Sequence, residues 1–174
     1  MTGQQARFSA PSRVIHWLMA VMILAMLCIG VGMAASVSER YKVLVSIHKP
    51  LGIAILILVI VRLIVRLTRG APPLPSDLPP LMKFAAHASH WALYALMFAM
   101  PLIGWGMLSA AGDPVVVAGI HLPSILPMDG AMHGVLRQAH TWLALVLFAL
   151  VLAHLAAALF HALVRGDGVF ESMA

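Results

Sequence analysis

Four long apolar runs, separated by charged residues, constrain what this chain can fold into. Of its 174 residues, 62% are hydrophobic and 10% are charged, and the charges gather between the runs. A helix needs about 20 apolar residues to cross the hydrocarbon core of a bilayer. Three runs reach that length outright, and the second does so once its terminal lysines and arginines extend to the interfaces. The sequence therefore predicts an integral membrane protein with four transmembrane helices.

The runs also predict how the chain is organised. The helices are expected at roughly 14–36, 43–67, 84–110 and 136–164, within a single domain covering residues 1–174. Short connections make consecutive helices antiparallel, so the predicted fold is an all-α, up-down-up-down four-helix bundle. The connection between the second and third helices is proline-rich and is predicted to be stiff and extended. The longest connection, at about 112–135, follows the third helix.

Composition excludes several other classes of protein. A soluble domain is typically about 45–50% apolar and about 25% charged, and a disordered chain is poorer still in apolar residues. The single cysteine, Cys28, excludes an internal disulfide, a four-cysteine zinc site and an iron–sulfur cluster held by this chain alone. The net charge of +5 comes from basic residues that flank the apolar runs. That distribution favours a membrane surface over nucleic acid as the partner.

The distribution of lysine and arginine predicts the orientation. Seven of the 11 basic residues fall at the end of the bundle that holds both termini. These residues are Arg7, Arg13, Arg62, Arg66, Arg69, Lys83 and Arg165. The opposite end holds Arg40, Lys42, Lys49 and Arg137. Since cytoplasmic ends carry the excess of positive charge, both termini are predicted to be cytoplasmic.

Nine histidines are unexpected in so apolar a chain, because ionisable groups in a bilayer are costly and usually functional. His140 and His154 lie fourteen residues apart on the fourth helix. They face the same side within about 40° and lie about 21 Å apart along the axis. This spacing suits two haems stacked across the membrane, each bound by one histidine of this helix. Taken singly, such residues more often form interhelical hydrogen bonds. Zinc or copper is less favoured, because cysteine and carboxylate are nearly absent from the runs.

Depth along the helices suggests partners for these two histidines. His48 opens the second helix near the outer face, as His140 opens the fourth, and parallel helices of a bundle can face each other diagonally. At the inner level, His16 and either His87 or His90 lie in the same half of the membrane as His154. Spacing alone leaves the choice between His16 and His90 open.

Short motifs in a fixed order resemble the prokaryotic cytochrome b561 family over nearly the whole chain. They are IHW, IHKPLG, VRLIVRL, AHASHWALY, AHTWLALV and LAHLAAALFH. The resemblance implies two b-type haems, with His48 and His140 as axial ligands of the outer haem and His16 and His154 as those of the inner haem. It selects His16 over His90. It also disfavours reading the first run as a cleaved signal peptide, since cleavage would remove a ligand.

The resemblance further implies a multi-pass electron carrier of the bacterial cytoplasmic (inner) membrane. Relatives exchange electrons with quinone, and some oxidise superoxide at the outer face and reduce ubiquinone. We therefore expect an oxidoreductase of this type, with membrane lipid, quinone and superoxide or a periplasmic donor as partners, and no nucleic acid. The alternative is a haem-bearing anchor subunit that relays electrons between the quinone pool and a dehydrogenase, hydrogenase or periplasmic carrier.

Charged and ionisable residues at the two ends suggest roles in such a reaction. The outer cations Arg40, Lys42, Lys49 and Arg137 would concentrate a small anion such as superoxide. Contact with haem propionates or lipid phosphates explains them equally well. His161 and His87, near the inner face, are candidate proton donors to a quinone, because the pKa of histidine suits that role. Each is equally well explained as an interfacial histidine that faces water.

Overall fold

The computed structural model describes residues 7–174 and consists almost entirely of four long helices. They are α1 (Ala10–Ala34), α2 (Glu39–Arg69), α3 (Pro80–Ala111) and α4 (Gly130–Phe160). A π-helical turn, His161–Arg165, continues α4. All four helices are long and apolar enough to span a membrane. The predicted all-α four-helix membrane bundle is confirmed.

All four helices begin earlier than hydropathy predicts, and α1 also ends earlier, at Ala34 and not at 36. Each begins about four residues or more before its expected start, and residues 130–135, expected in the longest connection, belong to α4. Charge marks where a helix leaves the hydrocarbon, whereas a helix ends where its backbone is capped or cannot continue. Gly70 and Gly112 end α2 and α3 with positive φ angles of 70° and 73°, which only glycine adopts without strain. Residues 1–6 of the expected domain lie outside the described range.

The longest connection carries structure that hydropathy did not predict. Val116–Val117 (β1) and Ile120–His121 (β2) pair as a short antiparallel hairpin. The Trp105 indole donates to the carbonyl of Pro123 at 3.0 Å, and the Ser109 hydroxyl accepts from the Ile125 N–H at 3.2 Å. These bonds hold the connection against the C-terminal half of α3. The proline-rich segment between α2 and α3, in contrast, has no helix or strand, as expected.

The bundle is held by a narrow apolar core. Helix α1 packs on α2, α2 on α3, and α3 on α4. The buried core residues are Met19, Leu56, Val59, Leu93, Met97, Met100 and Leu147. Many large apolar side chains instead face outward, among them the exposed Trp17, Trp91 and Trp142. An outer surface so rich in apolar side chains is typical of a protein surrounded by lipid.

Both ends of the described chain lie at the same end of the bundle. The Phe8 N–H donates to the carbonyl of Ser172 at 3.0 Å, and the Trp17 indole donates to the carbonyl of Met173 at 3.0 Å. Phe170 packs edge-on against Trp17 with ring centroids 6.4 Å apart. The C-terminal segment thus folds back over the start of α1. That this end is cytoplasmic stays a prediction from the charge distribution.

The cap at the start of α4 can be tested by substitution. The Asp129 carboxylate accepts a hydrogen bond from the Met132 N–H at 3.0 Å. Replacing an N-cap acceptor with alanine costs about 1 kcal/mol. We expect Asp129→Ala to lower the free energy of unfolding by that amount, measured by equilibrium unfolding in mixed SDS micelles. Asp129→Ser is the control, because serine is as good an N-cap; equal losses in both variants would contradict the capping role.

Candidate functional site

Two levels of histidine pairs lie between the helices. At the outer level, His48 of α2 and His140 of α4 have ring centroids 6.2 Å apart, with their planes at 67°. The Nδ1 atoms of both rings are buried and have no hydrogen-bond partner among the described residues. Because buried polar atoms in native proteins are nearly always satisfied, the two unpartnered nitrogens single out these rings as candidate ligands.

Gly104 of α3 leaves room for the outer pair. A Cβ atom at this position would lie 3.3 Å from Cε1 of the His140 ring, tighter than most side-chain contacts. Gly52 is different, since a Cβ there would meet only the end of Met26 at 3.7 Å, and at Gly30 it would meet nothing within 4 Å. Of Gly30, Gly52 and Gly104, only Gly104 therefore lets a backbone approach a candidate ligand ring.

The inner level contains three histidines. His154 of α4 faces His16 of α1 with ring centroids 6.3 Å apart, and also faces His90 of α3 at 5.4 Å. The His90 Nδ1 atom is hydrogen-bonded to the carbonyl of Ala86 at 2.6 Å. That bond leaves its Nε2 atom able to bind a metal, as in many histidine ligands. The structure thus brings together both inner partners that spacing left open.

The separations within the pairs can be compared with what a shared metal requires. Two imidazoles on opposite sides of one metal ion, each bound at about 2 Å, have ring centroids about 6 Å apart. The pairs His48–His140 and His16–His154, at 6.2 and 6.3 Å, match this separation, whereas His90–His154 at 5.4 Å is shorter. These two separations leave room for a metal ion between the rings of each pair, as a haem iron held by His48 with His140 or by His16 with His154 would require. Within residues 7–174, no group of three or more His, Cys, Asp or Glu residues fits a metal held by side chains alone.

The remaining inner histidines lie in different settings. His87 is exposed, and its Nδ1 atom is hydrogen-bonded to the carbonyl of Lys83 at 2.7 Å on its own helix. His161 is half-buried, and its Nδ1 atom contacts the Asp167 carboxylate at 2.7 Å. Among the described residues, no hydrogen bond joins His87 to His161. Sequence reasoning missed Asp167, because it lies past the apolar run and turns back to α4 only after Gly166.

Asp167 organises a charged network at this end. It accepts from Arg165 at 2.8 Å, and Arg165 also donates to Asp77 in the α2–α3 connection at 2.6 Å. Burial alone would raise the pKa of Asp167, but the hydrogen bonds from Arg165 and His161 outweigh it and lower this pKa. Asp167 therefore stays ionised at neutral pH, as a fixed acceptor beside the His161 ring.

The outer cations are less uniform than the sequence suggests. Lys42 pairs with Glu39 at 2.8 Å and Lys49 with Asp113 at 2.7 Å. Arg40 and Arg137 are exposed and make no salt bridge with any described residue. These two arginines are thus the ones whose charge is not offset by a carboxylate.

Comparisons with known proteins place the chain in a family. A family model described as prokaryotic cytochrome b561 matches residues 7–174. The chain is 31% identical to cytochrome b561 homolog 2 of Escherichia coli strain K12, over 99% of this chain and 93% of the relative. It is 28% identical to the probable superoxide oxidase CybB of Yersinia pestis, over 91% of this chain and 90% of the relative. It is 24% identical to cytochrome b561 homolog 1 of Escherichia coli, over 96% of each chain.

The two levels give a ligand prediction. We expect two low-spin b-type haems per chain, removable by acid–acetone because the single cysteine excludes a CxxCH attachment site. His48→Ala or His140→Ala should remove the outer haem, and His16→Ala or His154→Ala the inner one, because each loses an axial ligand. Haem content per chain and redox titration of the absorbance bands measure both outcomes.

Two variants serve as controls for this prediction. His121→Ala, at an exposed position on β2, should keep both haems. His90→Ala should keep the inner signal; if it abolishes that signal while His16→Ala does not, His90 is the ligand. A fully loaded sample with one haem per chain would overturn the two-level arrangement.

Proposed function

This chain belongs to the prokaryotic cytochrome b561 family and carries electrons in a membrane, and from that premise we propose that it oxidises superoxide at one face and reduces ubiquinone. The proposed cofactors are two b-type haems, held by His48 with His140 and by His16 with His154. When bound, each haem supplies a centre that accepts and releases one electron. The observation that carries the proposal is the pair of histidine levels at ring separations of 6.2 and 6.3 Å.

The axial histidines determine what chemistry the bundle favours. Two histidines per iron leave no coordination position for oxygen, which disfavours oxygenase chemistry and favours electron transfer. The levels are about 21 Å apart along α4, measured from His140 to His154 at 1.5 Å per residue. This distance separates the two ends of the reaction between opposite halves of the bilayer.

The outer end is proposed to receive superoxide. A relative with 28% identity is named a probable superoxide oxidase. At this end Arg40 and Arg137 are the basic residues that no carboxylate of the described residues neutralises. They would therefore concentrate a small anion near His48 and His140. Lys42 and Lys49 contribute less, because Glu39 and Asp113 offset their charge.

The inner end is proposed to reduce ubiquinone, which needs protons as well as electrons. His161 is our first candidate for the proton donor, because Asp167 holds its Nδ1 atom and leaves Nε2 as the exchangeable site. His87 is the second candidate and is more exposed. We propose that this end is cytoplasmic and that the membrane is the bacterial inner membrane, on the excess of basic residues there.

Substitutions at the two ends test this direction of flow separately. Neutralising Arg40 and Arg137 should slow haem reduction by superoxide and flatten its dependence on ionic strength, since screened steering fades with salt. Reoxidation by ubiquinone should be nearly unchanged. His161→Ala should do the reverse, because electrons still reach the inner level while the proton donor is lost. Stopped-flow absorbance of the haems follows each half-reaction.

Matched variants separate these roles from general damage. Replacing Lys42 and Glu39 together with glutamine removes an ion pair without changing the net charge, so we expect a smaller effect on superoxide than from Arg40→Gln. His121→Ala removes an exposed histidine and should leave reoxidation by quinone unchanged. If the arginine variants reduce at the wild-type rate, superoxide is not the donor at this face, and the chain is better described as an anchor subunit that relays electrons for a protein partner.

A further inference from the structure

We propose that Arg62 and Arg66 of α2, together with the Tyr94 hydroxyl of α3, bind a carboxylate of the haem held at the inner level. This rests on the proposed function only in requiring a haem between His16 and His154. The site would anchor that haem at its edge, apart from the axial histidines. Three observations support the assignment: the register of α2, the charge balance of the chain and the contacts of the two guanidinium groups.

The register of α2 places Arg62 at the inner level. Arg62 follows His48 by fourteen residues, the same spacing that separates His140 from His154 on α4. Because α2 and α4 run in the same direction and His48 is level with His140, Arg62 is level with His154. It also faces the same side of α2 as His48, within about 40°. Arg66 follows one turn closer to the end of the helix.

The charge balance of the chain leaves these arginines without a protein anion. The chain has six acidic residues, all in the described range. Glu39, Asp113, Asp77 and Asp167 form salt bridges with other basic groups. Asp129 caps α4. None of the six acids lies within salt-bridge distance of Arg62 or Arg66 in residues 7–174.

The two guanidinium groups are half-buried and converge on one cleft. Arg62 Nε donates to the Tyr94 hydroxyl at 3.1 Å, and the Arg66 guanidinium lies over the Phe8 ring, 5.7 Å from its centroid. The cleft is lined by Phe8, Ser12, Arg62, Arg66, Tyr94 and Met173. The Tyr94 bond uses one of the five N–H donors of Arg62, which leaves the terminal nitrogens for a bidentate carboxylate.

The position of the cleft favours a haem carboxylate over a lipid phosphate. Arg62 lies seven residues, or about 10 Å, before the end of α2. Met173 of the C-terminal segment and Phe8 border the cleft, so it opens between elements of the bundle. Arg69, exposed at the end of α2, is placed where a lipid headgroup would lie. A charged side chain in a membrane bundle requires a counter-ion, and the propionate carboxylates of a b-type haem held by His16 and His154 would supply one.

A thermodynamic cycle with a modified cofactor tests the site. The full chain is produced without haem and reconstituted with haem b or with its dimethyl ester, in which the carboxylates are blocked. The proteins compared are the wild type, Arg62→Gln, Arg66→Gln and the control Arg69→Gln. Retention of the inner haem and its midpoint potential are measured, and the outer haem signal of the same sample reports that the variant is folded.

If the arginines bind the haem carboxylate, the effects of esterifying the haem and of replacing an arginine should not add. In the wild type and in Arg69→Gln, the ester should weaken inner-haem retention about ten- to a hundredfold, the range of a charge-assisted hydrogen bond. Arg62→Gln should weaken haem b by a similar factor and lose little more with the ester. If Arg62→Gln also loses the outer haem, Arg66→Gln provides the same cycle.

Three other results would contradict the carboxylate site. Equal ester effects in the wild type and in both variants would overturn the carboxylate site while leaving the proposed function intact. If inner-haem retention changes with the anionic lipid content of nanodiscs and not with esterification, the arginines bind lipid phosphate. That result would also overturn the carboxylate site. A wild-type protein without an inner haem signal would overturn the proposed function together with this site.

Discussion

The absence of water from the hydrocarbon core is the constraint on which the rest of this structure depends. Backbone groups there must bond within the chain, which leaves helices as the way for these apolar runs to cross. The same constraint applies to side chains, because a polar group inside the bundle needs a partner from the protein or from a ligand. The outward faces are apolar and the inward faces hold histidine, arginine and tyrosine. The polar side chains between the helices, set beside the apolar core, are therefore the part of the molecule in which function is to be sought.

Helical periodicity places the polar groups of α2 and α4 at two matching depths in the bundle. A step of fourteen residues, close to four turns, carries α4 from His140 to His154 and α2 from His48 to Arg62. Parallel helices with the same step present matched groups at matched depths. At the outer level both helices supply histidine, whereas at the inner level α4 supplies histidine and α2 supplies arginine. The second inner histidine therefore comes from another helix, α1 with His16, and His90 of α3 lies beside it.

Sequence predicted the features that depend on local pattern. Apolar length and charge gave four helices, and a single step along α4 gave the two levels that the ring pairs now occupy. It could not give contacts between residues far apart in the chain, such as Lys49 with Asp113 or Arg165 with Asp77. Those pairings depend on how the connections fold, and hydropathy carries no signal for them. Helix ends were missed for a related reason, since the cap at Asp129 is set by one side chain and not by hydrophobicity.

The two ends of the bundle differ more in which basic residues are paired with acidic residues than in how many basic residues they hold. At the outer end, Glu39 and Asp113 neutralise two of the four basic residues. At the inner end, Asp77 and Asp167 are both bound by Arg165, so Arg62 and Arg66 retain their charge within the bundle. If haem carboxylates bind those arginines, the opposite charges offset each other within the bundle. The direction of flow then depends on the reactions at the two faces, where Arg40, Arg137 and His161 lie.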